Sequence, residues 1–279
     1  MKHVGRCIGL FIFAFIVARA DWHGFADILN RSHIRFLCAG VILTIPIIWI
    51  KALRWRLLLS WQGYYVRAWD SFLYYLSSVS LGAITPGRIG EFSKVFYLKK
   101  AGISTLSQGL SSVLLDRLLD LSILIAVAMC GMLWLNPWQG AKNMALLGFA
   151  GAVAILILLF TVGDFKRVIG WVYRLIAKSR TTGSFKEGLD QFTDGLHALF
   201  QWRLWQAVML TILAYSLFFY QCFLIAQAFN LPISYSALAV IMAMTNLLTL
   251  LPITIAGLGT REAALLFLLG PMGIEVVQV

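Results

Sequence analysis

Apolar residues run in long blocks along this chain, separated by short polar stretches rich in turn formers. The blocks at residues 7–18, 36–50, 114–135, 145–162 and 205–228 read as helices that enter or cross a membrane. Two more blocks, 71–84 and 236–251, are apolar but fall short of the roughly 20 residues that a span requires. Each of these short blocks runs into a glycine-rich break that closes on a glutamate. The first break is Leu81-Gly82-Ala83-Ile84-Thr85-Pro86-Gly87-Arg88-Ile89-Gly90-Glu91. The second is Leu251-Pro252-Ile253-Thr254-Ile255-Ala256-Gly257-Leu258-Gly259-Thr260-Arg261-Glu262. Such a break frees backbone groups that lipid cannot satisfy, so it survives where protein buries it or where it lines a wet cavity. Ionisable residues at that depth are costly and mark functional sites.

The polar stretches give these blocks a direction. Block 7–18 follows Lys2 and Arg6 and ends in Ala18-Arg19-Ala20, which fits a signal peptide or an uncleaved first span. We prefer the span, and both readings start in the cytoplasm. Behind block 36–50 stand Lys51, Arg54, Arg56 and Arg67, with Trp49, Trp55, Trp61, Tyr64 and Tyr65 among them. They read as a positive flank and an interfacial aromatic belt. Basic residues on both sides of block 71–84 predict a re-entrant hairpin from the cytoplasmic face, or else a half-span that ends at the break. Asn136-Pro137 turns the chain after block 114–135, and Asn230-Leu231-Pro232 is an uncharged external turn. Residues 164–203 hold seven Lys/Arg and four Asp/Glu and are expected in the cytoplasm. Within them Leu189, Phe192, Leu196 and Phe200 recur at helical spacing, as in a helix lying on the membrane surface or on the domain.

The order of span, short apolar leg, glycine-rich break and glutamate occurs twice, over about 36–135 and about 204–279. The charge rule sends the first unit's span inward and the second unit's outward, the pattern of an inverted repeat. A span carrying Asp116, Arg117 and Asp120 follows the first break. Only 17 residues follow Glu262, so the second unit reads as C-terminally short.

Composition agrees: 60% of residues are hydrophobic and 13% charged, against about 45–50% and about 25% in soluble domains. The fold class expected is all-α, a polytopic helical membrane protein with two re-entrant or broken helices, forming a single transmembrane domain over 1–279. The 23 Lys+Arg against 12 Asp+Glu give a net charge of +11. These basic residues are scattered between spans, so they fit loops facing anionic lipid and no nucleic-acid partner. Cys7, Cys38, Cys130 and Cys222 form no CxxC, and His3, His23, His33 and His197 have no ligand spacing. There is no P-loop and no GxGxxG. Neither a metal nor a cofactor is expected, and no nucleophile is spaced from a base, so an enzyme ranks last. Ser77, Ser78, Ser80, Ser107, Ser111 and Ser112 read as helix-packing residues.

The candidate chemistry lies in charges near membrane depth: Arg88, Glu91, Asp116, Arg117, Asp120, Arg261 and Glu262. Arginines would hold a phosphate through paired hydrogen bonds, and carboxylates would meet an amine or relay a proton. The competing reading is structural. Arg88 with Glu91, and Arg261 with Glu262, would only pin their hairpins, and Asp116 would be a satisfied carboxylate at a helix N-terminus. The substrate-contacting set is Arg88, Glu91, Arg117, Asp120, Arg261 and Glu262. Pro86, Gly87, Gly90, Pro252, Gly257 and Gly259 are expected to make the turns.

Four elements resemble the membrane region of the lysylphosphatidylglycerol synthase/flippase family. They are Leu53-Arg54-Trp55-Arg56, Thr85-Pro86-Gly87-Arg88-Ile89-Gly90-Glu91, Asp116-Arg117-Leu118-Leu119-Asp120, and Pro252 through Gly257-Leu258-Gly259-Thr260-Arg261-Glu262-Ala263. The resemblance implies an inverted-repeat domain in the inner cell membrane that moves phospholipid or aminoacylated phospholipid between leaflets. Where the family commonly has Glu-Arg, this chain has Asp116-Arg117. Residues 1–279 are expected to hold no soluble aminoacyl-transferase domain like that of bifunctional members, so lysyl transfer is not implied. Polyprenyl-linked sugar or glycolipid transport and a non-transporting scaffold are the other readings. Partners are membrane lipids, with a homo-oligomer or a membrane-bound enzyme left open.

Overall fold

The structure, a computed structural model, describes residues 32–134, 191–192, 194–195, 199, 202–249 and 259–269. Among these residues there are seven α-helices and no strand, the architecture of a helical membrane protein. They are α1 (Ile34–Trp61), α2 (Ala68–Ile84), α3 (Lys94–Lys100), α4 (Leu106–Trp134), α5 (Leu204–Ala228), α6 (Tyr235–Thr249) and α7 (Thr260–Leu269). A 3-10 segment, Pro86–Ser93, links α2 to α3.

Helices α1 and α5 are long and apolar enough to cross a membrane. At about 1.5 Å per residue they reach about 42 Å and about 38 Å, beyond a hydrocarbon core of about 30 Å. They pack along each other in opposite directions. His33 N–H near the start of α1 donates to Ala228 O at the end of α5 (2.9 Å). Gln221 Nε2 bridges Gly40 O and Thr44 Oγ1, both at 2.8 Å. Near the far end, Arg54 of α1 reaches Thr211 of α5 (2.9 Å). The charge rule predicts opposite directions for blocks 36–50 and 205–228, and the structure adds that the two helices pack on each other.

Two boundaries differ from the sequence reading. Block 36–50 does not end at Ile50: α1 continues to Trp61, because Ala52, Trp55, Leu58 and Leu59 carry its buried face onward. Lys51 and Arg54 are therefore not a flank beyond the helix, and Trp55, fully buried, is not part of an interfacial belt. Block 114–135 begins earlier than expected, since α4 starts at Leu106. Asp116 thus lies well inside a helix, and the N-terminal carboxylate reading does not apply to it.

Helices α2 and α6, of 17 and 15 residues, are the two short legs. Each would reach only about 26 Å or less, short of the hydrocarbon thickness. Helix α2 packs on α1, and α6 packs on α5 and α4. After α2 the chain folds back, so that the 3-10 segment lies against it. Thr85 stitches the break: its hydroxyl donates to Leu81 O (3.0 Å) and accepts from Gly90 N–H (2.7 Å). These bonds satisfy backbone groups that the interruption would leave bare. A 3-10 run of 8 residues exceeds the usual 3–4 and depends on this packing. Residues 251–258 of the second break, including Pro252 and Gly257, lie outside the described residues, as do blocks 7–18 and 145–162 and most of segment 164–203. In that segment Phe192 and Leu199 are buried, while Leu189, Leu196 and Phe200 are among the residues not described.

Candidate functional site

Where α1, α2, α3, α4 and α5 meet, their apolar clusters surround a buried ionic network. Arg54 of α1 is its hub, with a side chain that is 0% exposed. Its Nε and Nη2 donate to Asp116 Oδ1 (2.9 and 2.5 Å). Its Nη1 donates to Asp120 Oδ1 (2.8 Å) and to Thr211 Oγ1 (2.9 Å). Asp116 and Asp120 are one helical turn apart on α4, so one planar guanidinium serves both.

Lysines on two other elements complete these carboxylates. Lys94, the first residue of α3, donates to Asp116 Oδ2 (2.6 Å). Its ammonium also lies over the rings of Tyr75 and Trp55, 4.3 and 5.0 Å from their centroids. Lys51 of α1 reaches Asp120 Oδ2 (3.2 Å) and lies 4.3 Å over the ring of Tyr215. A desolvated cation gains most from such aromatic faces. Trp55 is itself held by a hydrogen bond from Nε1 to Ser112 Oγ (3.2 Å).

Arg117 joins this centre to the break. Its Nη1 pairs with Glu91 Oε2 (2.6 Å), and its Nη2 lies 3.2 Å from both Asp116 Oδ2 and Asp120 Oδ2. The same Nη2 donates to Tyr75 Oη (3.0 Å). Glu91 is buried, whereas Arg88 at the rim is 43% exposed and lies 3.9 Å from Glu91. Arg88 Nη2 also approaches Asn246 Oδ1 of α6 at 3.5 Å, so the first break touches the second short leg. The backbone of Arg88 has φ 54°, the left-handed region that side chains rarely adopt.

Of the residues singled out from sequence, Arg88, Glu91, Arg117 and Asp120 are gathered here, and Asp116 with them. Arg261 and Glu262 are not. Arg261 is exposed and pairs with no described carboxylate. Glu262 turns instead to its own helix start and accepts Gly259 N–H (2.7 Å). With Gly259 at the cap of α7, this is the returning half of a capping box. Glu262→Ala should cost about 1 kcal/mol of stability, read as a lower thermal midpoint, and Glu262→Gln should retain most of it. A Glu262→Ala midpoint equal to wild type would show that the cap is not used.

Sequence reasoning missed Lys51, Arg54, Tyr75, Lys94, Thr211 and Asn246 as members of this region. One signal was present: positions 52, 55, 58 and 59 continue the apolar helical spacing past Lys51, which places Arg54 on a helix rather than in a loop. Nothing comparable marks Asn246 or Thr211.

The family described as Lysylphosphatidylglycerol synthase TM region matches residues 4–279. The chain belongs to this family. It is also 27% identical over 167 residues to the UPF0104 membrane protein PH1989 of Pyrococcus horikoshii. That match covers 57% of this chain and 49% of the relative, so the chain spans about half of that relative's length. No solved structure matches. For a member of this transmembrane-region family, a charged network of this size inside apolar helices sits in surroundings where unpaired charge is not tolerated.

Proposed function

We propose that this protein is a lipid translocase of the inner cell membrane, moving phospholipid or aminoacylated phospholipid between leaflets without an energy source of its own. The observation that supports this reading is the ionic network placed directly behind a broken helix. Cations and carboxylates at membrane depth are costly for a protein that has only to span. Glu91 and Arg117 link that network to Arg88 at the rim, so a headgroup arriving there would meet a continuous polar path. In this reading residues 36–135 and 204–279 are inverted units, with α1 and α5 as counterparts and α2 and α6 as their short legs. The N-terminus lies in the cytoplasm. Arg261, exposed near the start of α7, would meet the headgroup on the second unit's side, while Glu262 caps that helix.

Scrambling of a labelled phospholipid in proteoliposomes tests this proposal. Wild type should equilibrate the label, and Glu91→Gln should slow it by about tenfold, the effect of about 1.4 kcal/mol on a barrier. Arg261→Ala should slow it less. Normal rates from both variants at equal reconstituted protein would remove the site assignment. An inactive but folded wild type would favour the scaffold reading instead.

A further inference from the structure

Every carboxylate of the network is paired with a cation, while three of its five cations keep spare donors. Asp116 is held by Arg54, Lys94 and Arg117, Asp120 by Arg54, Lys51 and Arg117, and Glu91 by Arg117. Tyr75 adds a further donor to Asp116 (3.3 Å). Against this, Arg117 Nε is buried with no hydrogen-bond partner among the described residues. Lys51 donates one hydrogen bond among the described residues, where an ammonium can make three. Arg88 is 43% exposed, with contacts of only 3.9 Å and 3.5 Å. Among the described residues the site gathers five cations (Lys51, Arg54, Arg88, Lys94, Arg117) and three carboxylates (Glu91, Asp116, Asp120).

Excess positive charge inside apolar surroundings is unfavourable unless an anion compensates it. A phosphodiester supplies one negative charge and several acceptor oxygens, which suit the spare donors of Arg88, Arg117 and Lys51. An amine on the same headgroup would add a further positive charge and would find each carboxylate of the network already engaged. We infer that this site takes a net-anionic phosphate headgroup and discriminates against one that carries an added amine. The inference rests on the lipid-handling reading above and narrows its substrate. Arg88, at the exposed rim, makes the first contact, and the buried Arg117 donor sets the seat of the phosphate.

The test is retention of probe lipids by the full chain in phosphatidylcholine nanodiscs, counted by native mass spectrometry. The probes are phosphatidylglycerol, lysylphosphatidylglycerol and a polyprenyl phosphate. Phosphatidylglycerol should be retained about tenfold over lysylphosphatidylglycerol, since like charges across a site oppose binding. Retention of the polyprenyl phosphate at least equal to phosphatidylglycerol would support the same chemistry from the other lipid class. Arg88→Gln, at an exposed position, and Arg117→Lys, which keeps charge but loses Nε, should each cut that preference severalfold. Equal or tighter retention of lysylphosphatidylglycerol overturns the inference, as does a preference unchanged in both variants. Scrambling is measured separately. Selective retention without scrambling would defeat the transport reading alone, and scrambling of both lipids at equal rates without selective retention would defeat the headgroup inference alone.

Discussion

Arg54→Met is expected to abolish most of the folded protein, measured as the monodisperse fraction recovered in mild detergent. The guanidinium is fully buried and donates to Asp116, Asp120 and Thr211, which joins α1 to α4 and α5 at one point. Methionine keeps the packing volume but leaves two carboxylates short of a cation. Breaking a buried pair by removing one partner costs about 3–5 kcal/mol, a large share of the roughly 5–15 kcal/mol that holds a domain together. Arg54→Lys should fail almost as badly, because an ammonium cannot present the planar fork that meets both carboxylates. The double variant Arg54→Met/Asp120→Asn should recover part of the lost protein, since it also removes one stranded charge. Wild-type yield and thermal midpoint in Arg54→Met would show that Lys51, Lys94 and Arg117 hold the carboxylates without it.

Apolar length was the most legible property of this chain. Helix α5, Leu204–Ala228, lies within one residue of the block read from the sequence, the end of α2 coincides with its block, and α6 is within about two residues. Each is bounded by a polar turn or by the break itself, so hydropathy alone marks the edge. Helices α1 and α4 were misjudged for one shared reason. Lys51 and Arg54 were placed behind a helix and Asp116 at a helix start, yet all three lie well inside helices, where they pair with one another and with Asp120. The first turns of α4 carry Ser107, Gln108, Gly109, Ser111 and Ser112, so the apolar block starts only at Leu114 and the helix was started too late. Arg88, Glu91, Arg117 and Asp120 stood out because ionisable groups near a glycine-rich break are rare in lipid. Their partners did not, since the Arg54–Asp116 pair spans 62 positions and Arg88–Asn246 spans 158. No local pattern encodes a contact at that separation. Arg261 and Glu262 show the converse limit. Their motif mirrors the first break, but Glu262 is engaged in capping α7.

Gly90→Ala is expected to open the first break and, in the translocase proposal, to slow scrambling with it. A Cβ at Gly90 would fall on the Leu81 carbonyl and on Gly82 N, the backbone of the last turn of α2. Backbone cannot swing aside as a side chain does, so the 3-10 segment would have to lift away from α2. Lifting it would strain the Gly90 N–H bond to Thr85 and would carry Glu91 away from Arg117. The stability cost should reach the upper end of about 1–3 kcal/mol for overpacking, seen as a lower thermal midpoint. Gly82→Ala meets the Glu91 side chain rather than backbone, so it should be milder in stability while still shifting Glu91. Gly102→Ala is the control: its φ is +67° but nothing lies within 4 Å, so only the left-handed backbone is penalised, by about 1–2 kcal/mol. The informative comparison is therefore scrambling rate against midpoint across the three variants. If close approach at the break sets the position of Glu91, Gly90→Ala and Gly82→Ala lose rate out of proportion to stability, and Gly102→Ala does not. Equal loss in all three would mean that the break serves only the fold, and Glu91 would lose its claim to a headgroup.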